Sequence, residues 1–256
     1  MNPAVDSSTR APRLFIVAGE PSGDGHASRL LLALRRLAPG IEARGFGGPQ
    51  LEAAGMELLE DLASDAIMGL FPVLAALPRI RGWFRRALDE LERDPPDALV
   101  VVDYPGFNLR LALAAKARGL RVIYYISPQV WAWNRRRVRT IARSVDLMIP
   151  ILPFEEDFYA GAGIEVYYPG HPLADQFADF PYDEAVRSDL ARFEERPLVG
   201  LFPGSRRHVV ESLGPVFLRA ARALRQKPGL EAARFVVAAA RPDFGAWFEN
   251  HAEAQD

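Results

Sequence analysis

The chain has 256 residues, of which 49% are hydrophobic, and 31 Lys and Arg stand against 33 Asp and Glu, for a formal net charge of −2. This composition excludes a mainly disordered chain, because enough apolar surface is available to offset the entropy lost on folding, and near-neutral charge argues against a dedicated nucleic-acid-binding protein. The absence of cysteine excludes a disulfide framework, a thiolate metal site and a cysteine nucleophile.

Short apolar runs alternate with longer helical patterns along the chain. The predicted strands are, in chain order, Leu14–Ala18, Ala43–Phe46, Ala98–Val102, Val122–Ile126, Leu147–Ile151, Val166–Tyr168, Leu198–Phe202 and Phe235–Ala239. The uninterrupted run ALVVV at Ala98–Val102 is typical of a strand buried on both faces of a parallel sheet. Helices are predicted from about residue 27 to residue 37 and near Ile80–Leu91, where apolar residues recur along one stripe.

This repeated alternation predicts an α/β fold with doubly wound, Rossmann-like lobes, whose ligands bind beyond the carboxyl ends of the strands. An acidic, aromatic stretch from Asp175 to Glu195 suggests a boundary, so we expect one lobe at residues 1–175 and another at 176–256. About two strands fall in the second lobe, which is too few for an open parallel sheet that buries both faces. We therefore expect the second lobe to be incomplete.

The first candidate loop is GEPSGDGH, Gly19 to His26, which follows the first strand. Its glycines would let the backbone approach a ligand, and free amides at a helix start would suit an anion or a sugar hydroxyl. The alternative is a tight strand-to-helix turn capped by Asp24. The chain has no Gly-Lys-Ser/Thr phosphate loop, no GxGxxG fingerprint, no GxSxG elbow and no HExxH zinc motif.

The second candidate loop is DYPGFNLR, residues 103–110, which follows the run ALVVV. A carboxylate at the carboxyl end of a central strand could serve as a general base on a substrate hydroxyl. The alternative is that Asp103 only begins a proline-containing turn.

The segment SPQVWAW, residues 127–133, follows the next strand and precedes a basic helix. Gln129, Trp131 and Trp133 could form a platform for a sugar or a lipid, or could seal the helix onto the sheet. Between Arg79 and Arg143, fourteen Lys and Arg stand against six Asp and Glu, which predicts a basic face.

The second lobe carries FPGSRR, residues 202–207, between a strand and a helix. Gly204 and Ser205 at a helix start, with Arg206 as a fork-shaped cation, would bind a diphosphate. The alternative is a plain loop with exposed arginines.

In this order, these segments resemble the lipid-A-disaccharide synthase family. The matching stretches are GEPSGD (19–24), GFGGPQLEAAGM (45–56), MGL (68–70), DYPGFNLR (103–110), YYISPQVWAW (124–133), PFEEDFY (153–159), GHPL (170–173) and PGSR (203–206). The resemblance implies the two-lobed glycosyltransferase B-type fold and an inverting transferase that uses neither a metal nor a cofactor. It would join a UDP-activated diacylglucosamine to the 6-hydroxyl of diacylglucosamine 1-phosphate, which forms the β-1,6 disaccharide of lipid A.

The resemblance also implies roles for individual residues. Asp103 would be the catalytic base, and Glu20, in the same catalytic set, would orient sugar groups together with Asn108. The remaining substrate contacts would come from Ser22, Gly23, Asp24, Gln129 and Trp131. The nucleotide would be held by Gly204, Ser205 and Arg206, with Arg206 assisting the departure of UDP.

The chain also departs from the family pattern. It has His26 and Ala27 in place of a Leu-Gly pair, Leu51 in place of a methionine, and Pro72 and Val209 in place of glutamates. Family members continue past this length with a Ser-Gly-Thr-rich loop, so we expect this chain alone to bind acceptor weakly and to transfer little sugar. The alternatives are a divergent or inactive relative that binds lipid, and another nucleotide-sugar enzyme of the same fold, such as an epimerase.

The segment Ile67–Leu77 carries no charge and is followed by PRIR, residues 78–81. It is too short to span a bilayer, while arginines at one edge suit the headgroup zone. It is either a surface-lying anchor or a buried connection between sheet and helix. The sequence shows no signal peptide, so the anchor interpretation predicts a cytoplasmic protein, peripheral on the inner face of the cytoplasmic membrane.

Overall fold

The structure, a computed structural model, describes residues 10–64, 70–178, 180–192 and 196–253, apart from the side chains at 70–76, 133 and 253. The chain divides into two units, one up to residue 179 and one from residue 180. The elements of the first unit are β1 (Arg13–Ala18), α1 (Pro21–Leu37), β2 (Glu42–Gly47), α2 (Pro49–Ala53), β3 (Glu57–Asp61), α3 (Leu70–Arg93), β4 (Ala98–Val102), α4 (Pro105–Lys116), β5 (Val122–Tyr125), α5 (Val130–Trp133), α6 (Val138–Ser144), β6 (Leu147–Ile149), α7 (Pro153–Ala160), β7 (Glu165–Val166) and α8 (Pro172–Ala178). Those of the second unit are α9 (Glu184–Ala191), β8 (Leu198–Leu201), α10 (Arg207–Arg225), β9 (Arg234–Val237) and α11 (Pro242–Glu253).

The first unit is built on a parallel sheet that, within the described residues, has seven strands in the order β3-β2-β1-β4-β5-β6-β7. The chain winds outward in one direction from β1 to β3 and in the other from β4 to β7, so the strand order reverses between β1 and β4. These two strands pair from Leu14 with Ala98 to Ala18 with Val102. In doubly wound sheets, ligands bind beyond the carboxyl ends of the strands at such a switch point.

Strand β4 is buried along its whole length, as the run ALVVV predicts. Leu99 and Val101 belong to the core cluster that includes residues of α3 and α4, whereas Val100 and Val102 belong to the cluster that includes residues of α1. Side chains of a strand alternate between the faces of a sheet, so continuous burial requires helices on both faces. The prediction of a strand covered on both sides is confirmed.

Each of the eight predicted strands is present, with ends within two residues of the predicted positions. The sequence analysis missed β3, whose sequence ELLED holds only two apolar residues between carboxylates. This strand lies at the edge of the sheet and pairs only with β2 among the described residues. Two adjacent apolar residues do not show the alternation that identifies a half-buried strand.

Helix α3 extends the predicted helix at Ile80–Leu91 to Leu70–Arg93 and runs through Pro78. Residues 67–69 of the proposed anchor segment, 67–77, lie outside the described residues. From residue 70 the backbone of the segment is helical. Trp83, Ala87 and Leu91 are buried against the sheet, which confirms the predicted apolar stripe. In the described part of the chain, no helix combines the length and the apolar character needed to cross a membrane.

The second unit has, among its described residues, two strands, β8 and β9, which pair in parallel. Its core is formed by Val210 on α10 and by Phe244 and Phe248 on α11. Helix α10 passes close to α11 at Gly214, where an added Cβ would stand 2.3 Å from the ring of Trp247. Phe202, directly after β8, is 74% exposed.

Candidate active site

The loops after β1 and β4 meet at the switch point of the sheet. Glu20 follows β1, and Asp103 follows β4. The two carboxylates are near enough that Glu20 contributes to raising the pKa of Asp103. The carboxyl ends of adjacent parallel strands lie at one edge, which brings together residues that are more than eighty positions apart in the sequence.

The glycine-rich segment after β1 is helical rather than a loop. Helix α1 begins at Pro21, so the expected start near residue 27 is wrong by almost two turns. Proline suits the first turn of a helix. A Cβ at Gly23 would lie 3.7 Å from the Val102 carbonyl oxygen, which is an ordinary van der Waals distance. Of the predicted contacts, Gly23 is buried, Ser22 is exposed and Glu20 is partly exposed.

Asp24 lies inside α1 and is 1% exposed. Its Oδ1 accepts hydrogen bonds from the backbone N–H of Gly48 at 2.8 Å and of Leu51 at 3.2 Å, and its Oδ2 accepts one from Gln50 at 2.9 Å. Asp24 therefore caps α2 and not, as the turn interpretation supposed, its own helix. Both carboxylate oxygens are occupied by the protein, so in this geometry Asp24 joins the first motif to the segment 45–56.

Asp103 and Tyr104 both have a φ of 46°, in the left-handed region that side-chain-bearing residues rarely adopt. Such residues cost about 1–3 kcal/mol each and persist where the surroundings enforce them. The Asp103 carbonyl oxygen accepts hydrogen bonds from Tyr124 Oη at 2.7 Å and Asn108 Nδ2 at 2.8 Å. These contacts hold the backbone of the turn that carries Asp103.

Burial raises the pKa of the Asp103 carboxyl, and the negative charge of Glu20 raises it further. A carboxylate that binds its proton more readily is a better general base near neutral pH. The turn interpretation and the base interpretation are thus compatible, because the strained turn holds the carboxylate partly desolvated at the switch point.

Asn108, expected to contact sugar, is fully buried beneath this turn. Its Nδ2 also donates to the Val102 carbonyl oxygen at 3.1 Å, while its Oδ1 is buried without a hydrogen-bond partner among the described residues. The amide bridges the end of β4 and the start of α4. Asn108 therefore supports the loop that carries Asp103 through hydrogen bonds to its backbone.

The segment after β5 is held by a buried acid that the sequence analysis did not single out. Glu155, on α7, is 1% exposed, and its Oε1 accepts a hydrogen bond from Trp131 Nε1 at 2.9 Å. Its Oε2 accepts one from the backbone N–H of Leu152 at 3.1 Å. The Trp131 ring also packs edge-on against Phe154, at 4.9 Å between centroids. The sequence signal that could have identified Glu155 is its place in the motif PFEEDFY.

Gln129 is exposed and Trp131 is partly exposed beside it, so both side chains are accessible to a ligand. The structure describes no side chain for Trp133. Tyr159, on α7, donates a hydrogen bond to the Pro128 carbonyl oxygen at 2.5 Å. The segment from Pro128 to Trp131 is therefore tied to α7 at both of these residues.

In the second unit, the motif PGSR lies where α10 begins, which confirms the predicted helix start. Gly204 has a φ of 101°, which favours glycine at this turn. Ser205 and Arg206 are exposed, and the Arg206 guanidinium has no hydrogen bond or ion pair with any described residue. Arg207 instead pairs with Asp243 at 2.6 Å and Glu211 at 3.5 Å.

The chain is similar in sequence to known proteins. Residues 14–255 match the family model described as lipid-A-disaccharide synthetase. The chain is 47% identical over 224 residues to the lipid-A-disaccharide synthase of Trichlorobacter lovleyi and 44% identical over 224 residues to that of Myxococcus xanthus. Each match covers 87% of this chain and 58% of the relative, so the chain spans less than two thirds of the length of these curated relatives.

Solved structures resemble the chain in fold. The UDP-N-acetylglucosamine 2-epimerase of Neisseria meningitidis, solved bound to UDP-GlcNAc, has a TM-score of 0.53 at 12% identity and covers 94% of this chain and 68% of its own. The calicheamicin glycosyltransferase CalG4 has a TM-score of 0.52 at 14% identity and covers 90% of this chain and 66% of its own. The expected Rossmann-like lobes of the glycosyltransferase B-type fold are confirmed.

Proposed function

We propose a sugar-transfer function for this chain, which belongs to the lipid-A-disaccharide synthetase family. The donor would be a UDP-activated diacylglucosamine, and the acceptor would be diacylglucosamine 1-phosphate. The observation that carries the proposal is the meeting of Glu20 and Asp103 at the switch point of the sheet, with Asp103 held in a strained, partly desolvated turn.

In the proposed reaction, Asp103 accepts the proton of the acceptor 6-hydroxyl as the hydroxyl oxygen bonds to the anomeric carbon of the donor. The bond from that carbon to the diphosphate breaks, and UDP leaves with the electron pair. Attack opposite the leaving group inverts the anomeric centre. Glu20, which directly precedes α1, would orient a sugar hydroxyl beside the base.

The developing charge on the departing diphosphate needs a cation, and Arg206 supports this role because its guanidinium makes no ion pair with any described residue. Together with Gly204 and Ser205, it would form the phosphate-binding part of a donor site. We accordingly assign acceptor binding to residues 1–175 and part of the nucleotide-sugar site to residues 176–256.

We also propose that the protein acts at the surface of the cytoplasmic membrane, where its acylated substrates would reside. Arg136, Arg139 and Arg143 are exposed on and beside α6, and each well-placed arginine contributes about 1 kcal/mol of attraction to an anionic surface. Sedimentation with anionic vesicles should fall as salt rises, and the variant Leu70→Ser with Phe71→Ser should reduce it further. Binding that is insensitive to salt would contradict this part of the proposal.

The decisive experiment compares the 256-residue chain with an extended protein, in which the C-terminal part of a full-length relative follows the chain. Both are incubated with the UDP-sugar and the acceptor lipid, and the disaccharide is measured. We expect transfer by the extended protein and its loss in the Asp103→Asn variant of that protein. Conversion of the UDP-sugar without acceptor would favour an epimerase, and lipid binding without any transfer would favour an inactive relative.

A further inference from the structure

A cleft of about 520 Å³ opens between α3 and the start of α4. Its apolar lining comes from Leu77, Ile80, Phe84, Tyr104 and Phe107. Phe107 is buried and packs edge-on against Phe84 at 5.8 Å and face-to-face with Tyr104 at 6.0 Å, measured between ring centroids. The volume falls in the range of small-molecule sites, and the rings form a continuous apolar wall.

Arginines surround this apolar wall. Arg81, Arg85 and Arg110 line the same cleft, and none of them forms an ion pair with another described residue. Among the described residues, no Asp or Glu lines the cleft. An apolar wall edged by unpaired cations matches a ligand that carries a hydrocarbon chain and an anionic group.

We propose that this cleft binds one fatty acyl chain of a phosphorylated amphiphile, with the arginines holding its phosphate. The chain would cover the exposed faces of Ile80 and Phe84, which removes apolar surface from water. Since Tyr104 lines the cleft and directly follows Asp103, the bound amphiphile lies beside the loop of the proposed base. That this amphiphile is the sugar acceptor rests on the proposed function; the binding itself does not.

The glycine at position 106 supplies a direct test. Gly106 lines the cleft, and a Cβ placed there meets nothing within 4 Å. A leucine at this position would fill the cleft without a clash at Cβ. Gly82, on α3, is also exposed with open space around its Cβ position, but it does not line the cleft, so Gly82→Leu is the matched control.

The probe is n-dodecyl phosphate below its micelle concentration, with binding measured by equilibrium dialysis. We expect Gly106→Leu to weaken binding at least tenfold and Gly82→Leu to leave it within twofold. Dodecyl maltoside, which has the same chain without the charge, should bind at least tenfold more weakly than the phosphate. Equal binding of dodecyl phosphate by both glycine variants would overturn the proposal.

If Gly106→Leu does not fold, a second variant and a competition experiment test the cleft. Arg110 is exposed, so Arg110→Glu should preserve the fold and weaken dodecyl phosphate binding at least tenfold while leaving dodecyl maltoside unaffected. Competition by inorganic phosphate at the same concentration would show a phosphate site without an acyl subsite and would overturn the proposal. So would a concentration-dependent dimer abolished by Gly106→Leu, because a second copy would then cover the cleft.

This test is independent of sugar transfer. If dodecyl phosphate binds as expected and the extended protein transfers no sugar, the cleft is correct and the proposed function is wrong. If transfer occurs and Gly106→Leu binds dodecyl phosphate normally, the proposed function stands and the cleft is not the acyl site.

Discussion

The ring of Tyr104 lies directly over the backbone of Gly19. A Cβ at Gly19 would stand 2.2 Å from Tyr104 Cδ1 and 2.6 Å from Cγ, so only glycine allows this contact. The loops after β1 and β4 are therefore complementary in shape at the switch point. Tyr104, whose backbone is in the left-handed region, directly follows the proposed base.

We predict that Gly19→Ala destabilises the protein by about 1–3 kcal/mol, because a methyl group would have to displace the Tyr104 ring from a packed position. The free energy of unfolding in urea measures this. Gly82→Ala is the control: its Cβ position is open, and alanine in a helix is favoured over glycine by about 0.5–1 kcal/mol. A loss of the same size in both variants would show that the Tyr104 contact is unimportant.

We predict that Asp103→Asn lowers transfer by the extended protein about 10²- to 10⁴-fold, as expected for loss of a general base. Near-normal turnover would remove Asp103 from the mechanism and leave it only a turn-forming role. The variant should remain folded, since asparagine also tolerates the left-handed region.

The pH dependence of stability gives a separate test of Asp103. Burial raises the pKa of this carboxyl in the folded state, so the folded protein retains the proton to higher pH than the unfolded chain. Ionisation therefore costs stability, and the cost grows as pH rises from the ordinary aspartate pKa, about 3.9, through the raised value. Asp103→Asn should raise the Tm at pH 7 and have no such effect below pH 3.9. A lower Tm at pH 7 would contradict the raised pKa.

The sequence predicted the sheet well because burial on both faces leaves a direct pattern, as in the run ALVVV. It also placed the two candidate loops after strands, where doubly wound folds bind ligands; their functional role stays a prediction. It could not predict that residues 21–26 are helical, because glycine in a helix interior is unfavourable and two of these six residues are glycine. The partners of Asp24 and Trp131 lie more than twenty residues away, so only the tertiary structure identifies them.

We predict that Asp24→Ala costs at least about 2 kcal/mol, because buried backbone donors of α2 would lose their acceptor. Asp24→Asn, which keeps one acceptor oxygen, should have an intermediate effect. Glu52→Ala, at an exposed position of α2, is the control and should change the free energy of unfolding by less than about 0.5 kcal/mol. A raised KM at unchanged stability would instead support direct substrate contact by Asp24.

We predict that Glu155 is a positioning residue that acts through Trp131. Glu155→Ala and Trp131→Phe each remove the hydrogen bond between them, so their effects on KM should be non-additive, with a coupling of about 0.5–3 kcal/mol. Glu156→Ala, at the exposed neighbouring position, should change neither KM nor stability. Additive effects of Glu155→Ala and Trp131→Phe would show that Glu155 only caps α7.

Substitutions of Arg206 and Arg207 should have different effects, the first on use of the UDP-sugar and the second on stability. Arg206 makes no ion pair with any described residue, so Arg206→Ala should leave the Tm unchanged and lower kcat/KM for the UDP-sugar at least about tenfold, the loss of about 1.4 kcal/mol of interaction. Arg207 pairs with Asp243 and Glu211 at the surface, so Arg207→Ala should cost at most about 1 kcal/mol of stability and leave kcat/KM nearly unchanged. Both variants are compared in the extended protein, with KM for the UDP-sugar and for the acceptor measured separately. Equal kinetic defects, or a defect of Arg206→Ala confined to the acceptor, would contradict the assignment of Arg206 to the diphosphate.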